Sequence, residues 1–165
     1  MADSKKNIVP TKLTIPKALI APLGFSKVQD GIYRSAYPAA KSLNFISQLN
    51  LKSMVCLNPN DIKPELEEYC NENLITLFKS DIKYNQDPFV VMSDCAMNDA
   101  LDFALNPENQ PTLLFCTTGK VRTGCAVGCL RKRTNWCMSS IIQEYEQYTD
   151  PESGLGDMHF IDAFE

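Results

Sequence analysis

The sequence predicts an α/β fold in which helices cover both faces of a mostly parallel central sheet. Short apolar runs typical of buried strands alternate with longer segments of helical spacing, and this alternation favours parallel strands joined by helices. One predicted strand, residues 111–116, ends in a cysteine that precedes a glycine-containing loop and another helix. Open α/β sheets bind ligands at the carboxyl ends of their strands, so we expect a site at this loop.

The predicted elements begin with a β-hairpin over residues 25–35, because Asp30-Gly31 is a strong turn signal. Ser93 is the predicted N-cap of a helix that reaches residue 105, since a serine hydroxyl can accept a hydrogen bond from the first helical turn. The other elements are helices over 38–49, 63–73, 124 to about 134, 138–148 and 157–164, and strands over 52–57, 74–79 and 111–116.

Length and composition indicate one folded domain. The chain has 165 residues, of which 44% are hydrophobic and 22% charged, and a chain of this size can fold around its own core. Residues 1–15 are polar and then interrupted by proline, which predicts a flexible N-terminal arm before a single domain over 16–165. A net charge of −4 argues against a general nucleic-acid binder, and no apolar run approaches membrane-spanning length.

The cysteines indicate a reducing compartment. Seven cysteines at irregular spacing, behind an N-terminus without an apolar signal segment, predict reduced thiols in the cytoplasm instead of a disulfide framework. The chain has one histidine, so we expect no zinc site, and we expect no other metal or cofactor either. The sequence indicates no particular protein partner.

The strongest local signal is the segment CTTGKVRTG, residues 116–124, between the apolar strand and the following helix. Strand, tight loop and helix together aim backbone N–H groups and a helix N-terminus at one point, which is a geometry that binds anions. Glycine at 119 lets the loop curl with its N–H groups inward, and glycine at 124 allows close packing of the helix start. The predicted binding residues of the loop are Thr117, Thr118, Gly119, Lys120, Val121 and Gly124.

Within this segment Cys116, Arg122 and Thr123 are the predicted catalytic residues. A thiol beside a cation and a helix N-terminus is favoured as thiolate, which is its nucleophilic form. The planar fork of Arg122 can bind two phosphoryl oxygens and stabilise the charge of the transition state. The Thr123 hydroxyl is expected to stabilise the thiolate as it leaves a cysteinyl-phosphate. The alternative is a structural cysteine beside an arginine that caps a surface turn, and the agreement of glycines, strand and helix favours the phosphate site.

Three blocks of the sequence resemble the plant and fungal atypical dual-specificity phosphatases, a cysteine-dependent family that includes fungal inositol pyrophosphate phosphatases. The blocks lie at residues 24–38 (GFSKVQDGIYRSAYP), 85–90 (NQDPFV) and 106–145, the last of which contains the Cys116 loop. The resemblance implies a tyrosine-phosphatase-like fold and a cysteinyl-phosphate intermediate. The implied substrates are small anionic phosphates, with inositol pyrophosphates first and phosphotyrosine peptides next.

The chain departs from the family pattern at three positions around the cysteine. Phe115 stands where the family usually has histidine, and Thr118 and Val121 stand where its loop has arginine and histidine. The loss of basic side chains thins the positive field over the pocket. A phosphate-binding pseudophosphatase with weak or no turnover is therefore the alternative function, although retention of both Cys116 and Arg122 favours an enzyme.

Two aspartates are candidates for the general acid. A leaving alkoxide or phenoxide needs a proton donor within reach, and cysteine-dependent phosphatases supply an aspartate from a loop before the cysteine. Asp81 and Asp87 both have suitable positions, and the resemblance favours Asp87, which precedes Pro-Phe as the family's acidic residue does. Arg34, in the first block, is expected to form an ion pair that holds the hairpin to the sheet, with the wall of the phosphate pocket as its alternative place.

Overall fold

The computed structural model describes residues 18–86, 89–149 and 154–165, so the predicted arm at 1–15 lies outside the described residues. The described chain forms a five-stranded sheet of order β1-β2-β5-β3-β4. Only β1 runs antiparallel to its neighbour, which confirms the predicted mostly parallel sheet and the predicted hairpin. The strands are β1 (Ser26–Gln29), β2 (Ile32–Ala36), β3 (Ser53–Cys56), β4 (Thr76–Lys79) and β5 (Thr112–Cys116).

Helices cover both faces of this sheet, as predicted. They are α1 (Leu43–Ser47), α2 (Pro64–Glu72), α3 (Asp94–Leu105), α4 (Val121–Arg133), α5 (Met138–Glu146) and α6 (Leu155–Ala163). Ser93 caps α3 by accepting from the Ala96 N–H, as predicted. The predicted helix over 38–49 is shorter: Ala39 offers no side-chain cap, and a 3-10 turn at Ala40–Ser42 precedes α1.

The central strand β5 carries the cysteine of the predicted site. In the parallel register with its two neighbours, Cys116 lies opposite Ala36 of β2, and Phe115 lies opposite Cys56 of β3. Cys116 is the last residue of the strand, so the loop after it lies at the carboxyl end of the sheet. This is the edge at which ligands bind in open α/β folds.

Alternate residues of β5 face two separate cores. Leu114 and Cys116 pack on the side covered by α3, α4 and α6, whereas Leu113 and Phe115 pack on the side covered by α1 and α2. Phe115 is fully buried there, and its ring centroid lies 5.9 Å from that of Tyr37 in an edge-on contact. The residue that replaces the family's histidine therefore fills the second core.

Helix α6 is packed directly against α4. A Cβ on Gly128 of α4 would lie only 2.7 Å from Ile161 Cδ1, so glycine is what allows the two helices to approach this closely. Ile161 is buried within the larger core, whereas Leu155 of the same helix is 64% exposed. Among the helices of the described residues, none has the length and apolarity needed to cross a membrane.

We predict that Ile161→Ala lowers the free energy of unfolding by about 2–4 kcal/mol, because it leaves a cavity between α4 and α6. The control is Leu155→Ala in the same helix, which should change that free energy by less than about 0.5 kcal/mol because the side chain is exposed. Urea denaturation followed by circular dichroism measures both. Equal stabilities for the two variants would contradict the packing of α6 on α4.

Candidate active site

The loop between β5 and α4 curls around the sulfur of Cys116. Gly119 has a φ of +71°, a conformation that favours glycine, and its backbone N–H donates to Cys116 Sγ at 3.2 Å. A Cβ on Gly119 would lie 2.5 Å from the backbone nitrogen of Ala36, so the loop rests directly on strand β2. The backbone of the loop thus presents an N–H group to the sulfur of Cys116, a residue that is 1% exposed.

Helix α4 begins earlier than the sequence predicted, at Val121 instead of residue 124. Lys120 is its N-cap residue and supplies no side-chain cap. The first-turn N–H groups of a helix have no intrahelical acceptor, and together with the helix dipole they favour an anion at this end. The early start places Arg122 and Thr123 in the first turn, next to the cysteine loop.

Two buried polar groups of that first turn have no hydrogen-bond partner. Arg122 is 6% exposed and Thr123 is fully buried, yet neither Arg122 Nε nor Thr123 Oγ1 has a partner. A buried donor without an acceptor is costly, and such groups are found where a ligand completes the bonding. The Arg122 guanidinium lies 3.9 Å from the centroid of the Tyr84 ring, which holds its plane in a cation–π contact. Tyr84 was missed by the sequence analysis, because a lone aromatic residue in a loop carries no signal.

A small polar cluster supports the residue after the cysteine. The Thr117 hydroxyl donates to Asp61 Oδ2 at 2.5 Å, and the Asn58 side-chain amide donates to Asp61 Oδ2 at 2.5 Å and to Thr117 Oγ1 at 3.0 Å. Asp61 and Asn58 come from the segment that follows β3, more than fifty residues before Thr117. Sequence reasoning missed both residues, because their contact with the loop depends on the adjacency of β3 and β5.

The other predicted loop residues differ in their exposure and in whether their N–H groups are available to a ligand. Thr118 is exposed, and Lys120 and Val121 are half-buried. The Gly124 N–H already donates to the Lys120 carbonyl at 2.6 Å. A Cβ on Gly124 would lie 2.9 Å from two ring carbons of Tyr145, so this glycine allows α5 to pack against the start of α4. Gly124 therefore contributes to packing, and its N–H is not available to a ligand.

Arg34 lies beneath the loop, and no carboxylate of the described part of the chain pairs with it. It is 1% exposed, and its Nη2 donates to the Gly119 carbonyl at 2.9 Å. Its guanidinium lies 3.6 Å from the centroid of the Tyr148 ring, and its Nε and Nη1 have no partner. The expected ion pair from Arg34 is absent among the described residues, so that prediction was wrong. The Arg34 side chain binds the backbone of the loop and not a carboxylate.

Asp81, one of the two candidates for the general acid, lies on the surface. Its carboxylate is exposed and forms an ion pair with Lys83, and within the described residues it makes no hydrogen bond or ion pair to the loop. Asp87, the second candidate for the general acid, lies outside the described residues. The segment around both aspartates nevertheless has a described anchor, which is Asn85.

Asn85 ties this segment to the C-terminal helix. Its side-chain oxygen accepts from the backbone N–H groups of Val91 and Met92, both at 2.8 Å, and its amide donates to Asp157 Oδ1 at 2.7 Å. The buried Asp157 also accepts from the Tyr145 hydroxyl at 2.6 Å. Tyr145 in turn packs on Gly124, so hydrogen bonds and one packing contact connect Asn85 with the start of α4.

Two cysteines near the Cys116 loop, Cys56 and Cys125, remain thiols. Burial raises the pKa of Cys56 to about 11, and burial raises the pKa of Cys125 far above its ordinary value, with nearby Asp157 acting in the same direction. Cys125 therefore has a packing role in α4. No group of three or more His, Cys, Asp or Glu side chains that could hold a metal ion occurs in the described parts of the chain.

A buried cysteine within a curled backbone loop, followed by an arginine in the first turn of a helix, is an arrangement suited to binding an anion such as a phosphate group. The chain belongs to the tyrosine phosphatase family, which it matches over residues 19–165. This confirms the phosphatase resemblance stated above.

Its relatives include plant and yeast proteins. Inositol diphosphatase DSP1 of Oryza sativa is 37% identical over 89% of this chain and 66% of its own length. Inositol diphosphatase SIW14 of Saccharomyces cerevisiae is 38% identical over 92% of this chain and 54% of its own length. The chain therefore spans about two thirds of the rice relative and about half of the yeast one. The solved core catalytic domain of SIW14 superposes with a TM-score of 0.84 at 35% identity, covering 90% of this chain and 89% of that domain.

We predict that Asp157→Asn loosens the anchored segment, because an amide cannot accept from Tyr145 and Asn85 together without burying an unpaired donor. The free energy of unfolding should fall by about 1–3 kcal/mol. Hydrogen exchange at the Val91 and Met92 amides should accelerate by more than that global loss explains. Asp162→Asn, at an exposed position of the same helix, is the matched control and should change neither quantity. Unchanged exchange at both amides would show that the segment is held by other contacts.

Proposed function

We propose that this protein is a cysteine-dependent phosphatase that hydrolyses inositol pyrophosphates through a cysteinyl-phosphate on Cys116. The observation that carries the proposal is the loop itself: the Gly119 N–H on the Cys116 sulfur, beside the unpaired Arg122 Nε at the start of α4. The substrate class is supported by the relatives, which are named inositol diphosphatases. Phosphotyrosine peptides are the next substrate class in this proposal.

In the first step, the Cys116 thiolate attacks phosphorus, and the bond between phosphorus and the leaving oxygen breaks. Charge grows on the equatorial oxygens, where loop N–H groups and the Arg122 fork can stabilise it. In the second step, water attacks the phosphorus, the S–P bond breaks and inorganic phosphate is released. The Thr123 hydroxyl, which is buried and unpaired, is available to donate to the thiolate that leaves.

The proton for the leaving oxygen comes from a different residue. We propose Asp87 for this role, since the family resemblance favours it, and since Asp81 is exposed and paired with Lys83. When the bond broken is a phosphoanhydride, the leaving phosphate is a good leaving group and depends less on the acid.

We also propose that residues 16–165 act as one domain behind an N-terminal arm at 1–15, and that the protein works in the cytoplasm. The two cores packed against one sheet support the first point. The seven free cysteines fit a reducing compartment and support the second.

The function is tested by phosphate release from an inositol pyrophosphate and from an aryl phosphate, with EDTA present. We expect release by the wild type, and we expect it to fall to background in Cys116→Ser, because a serine hydroxyl in this loop is not activated as a nucleophile. Cys95→Ser, at an exposed cysteine, is the control and should keep full activity. No release from either substrate, with inorganic phosphate still bound, would identify a phosphate-binding pseudophosphatase.

The general acid is tested by varying the leaving group. We predict that Asp87→Asn lowers kcat about 100-fold or more for phenyl phosphate, whose leaving group needs a proton, and much less for an inositol pyrophosphate. Asp81→Asn should stay within about twofold of the wild type on both substrates, as a surface ion pair contributes little. The opposite pattern would assign the acid to Asp81.

A further inference from the structure

The buried guanidinium of Arg34 has no counter-charge among the described residues. A cation withdrawn from water is costly unless an anion compensates it, so a buried arginine usually has a carboxylate partner. Arg131 shows the ordinary case: it is 7% exposed and binds Glu144 through two hydrogen bonds of 2.8 and 3.0 Å. Arg34 is more deeply buried, and within the described ranges its polar contacts are the Gly119 carbonyl and the Tyr148 ring.

The negative charges that can compensate Arg34 belong to the site above it. Burial lowers the pKa of Arg34 and the positive charge of Arg131 acts in the same direction, whereas the Tyr148 phenol, the Glu144 carboxylate and Cys116 act in the opposite direction. Tyr148 and Glu144 belong to the α5 region, and neither forms an ion pair with Arg34. Cys116 carries a negative charge as thiolate, and a bound phosphoryl group brings more. The charge of Arg34 is thus compensated when the site is in its reactive state.

The hydrogen bond from Arg34 also fixes the orientation of one peptide group. The Gly119 carbonyl points down to Arg34, while the N–H of the same residue points to Cys116 Sγ. In a trans peptide the carbonyl and the next N–H point in opposite directions, so the Lys120 N–H is turned away from Arg34. Without this bond the Gly119 peptide could rotate and present its carbonyl oxygen to the anion, which would repel it.

We propose that Arg34 is a positioning residue of the phosphate loop, which holds the Gly119 carbonyl away from the bound phosphoryl group and adds buried positive charge beneath the thiolate. The inference rests on the proposed function, because it requires the loop to bind a phosphoryl group. It assigns to strand β2 part of the electrostatic role that basic side chains at 118 and 121 would have in the family loop.

The test uses Arg34→Met and Arg34→Lys in a background of Cys95→Ser and Cys137→Ser. This background removes the two exposed thiols, of which Cys137 has a pKa lowered to about 7 by hydrogen bonds from Ser139 and Ser140 and would be alkylated first. Calorimetry measures the affinity for inorganic phosphate, and iodoacetamide measures the rate of Cys116 alkylation against pH. Arg133→Met is the control, since it also deletes a partly buried, ion-paired arginine of the fold but contacts neither the loop nor Arg34.

In Arg34→Met we expect the affinity for phosphate to fall about tenfold and the pH of half-maximal alkylation to rise by about one unit. Arg34→Lys keeps the charge but not the planar fork, so its alkylation profile should stay near that of the parent while phosphate binds more weakly. Arg133→Met should leave both readouts unchanged, even where it lowers stability.

The inference is overturned if folded Arg34→Met keeps both readouts of its parent, or if Arg133→Met shifts them equally. If Arg34→Met does not fold, Arg34→Lys decides, and unchanged phosphate affinity in that variant overturns the inference. A parent protein that neither binds phosphate nor releases it from substrate would refute the proposed function itself, and this outcome is visible before any Arg34 variant is compared.

Discussion

The contact between the Gly119 peptide and strand β2 is the constraint on which the site depends. Cys116 lies opposite Ala36 in the parallel register, and Gly119 rests on the backbone at residues 35–36, where a side chain has no room. A shift of that register by one residue would turn the Cys116 side chain to the other face of the sheet. The β2–β5 pairing therefore fixes the relative positions of the sulfur, the loop N–H groups and Arg34.

This geometry places positive charge near the sulfur even though the loop has no basic side chains at positions 118 and 121. Phe115 does not face the sulfur but fills the core on the opposite side of the sheet, so its substitution for histidine serves packing. Thr118 and Val121 add no charge. Positive potential near the sulfur comes instead from the buried side chains of Arg34 and Arg122 and from the N-terminus of α4. Charges in a buried setting act more strongly than the same charges at an exposed rim.

Local signals predicted the elements, whereas contacts across the fold could not be predicted. The Asp30-Gly31 turn, the Ser93 cap and the apolar strand before Cys116 are each encoded within a few residues, and the structure contains all three elements. The start of α4 was placed three residues late, because Lys120 is an N-cap without a capping side chain and so gives no start signal. The bond from Arg34 to Gly119 spans 85 residues, and the expected ion pair was wrong because no local pattern indicates which buried group an arginine reaches.

The residues around the loop, and not the loop itself, bear on substrate selection. A loop that binds through backbone N–H groups and one arginine recognises the phosphoryl group that all phosphate esters and anhydrides share. Discrimination between substrates must then arise from the surfaces beside the loop. On one side lies Tyr84, which contacts Arg122. The exposed apolar side chains of Phe89, Val90 and Val91 belong to the segment that follows Tyr84 in the chain. Since Asn85 accepts from Val91 and Met92 and donates to Asp157, that segment is tied to the C-terminal helix, which connects this helix with the side of the site at Tyr84.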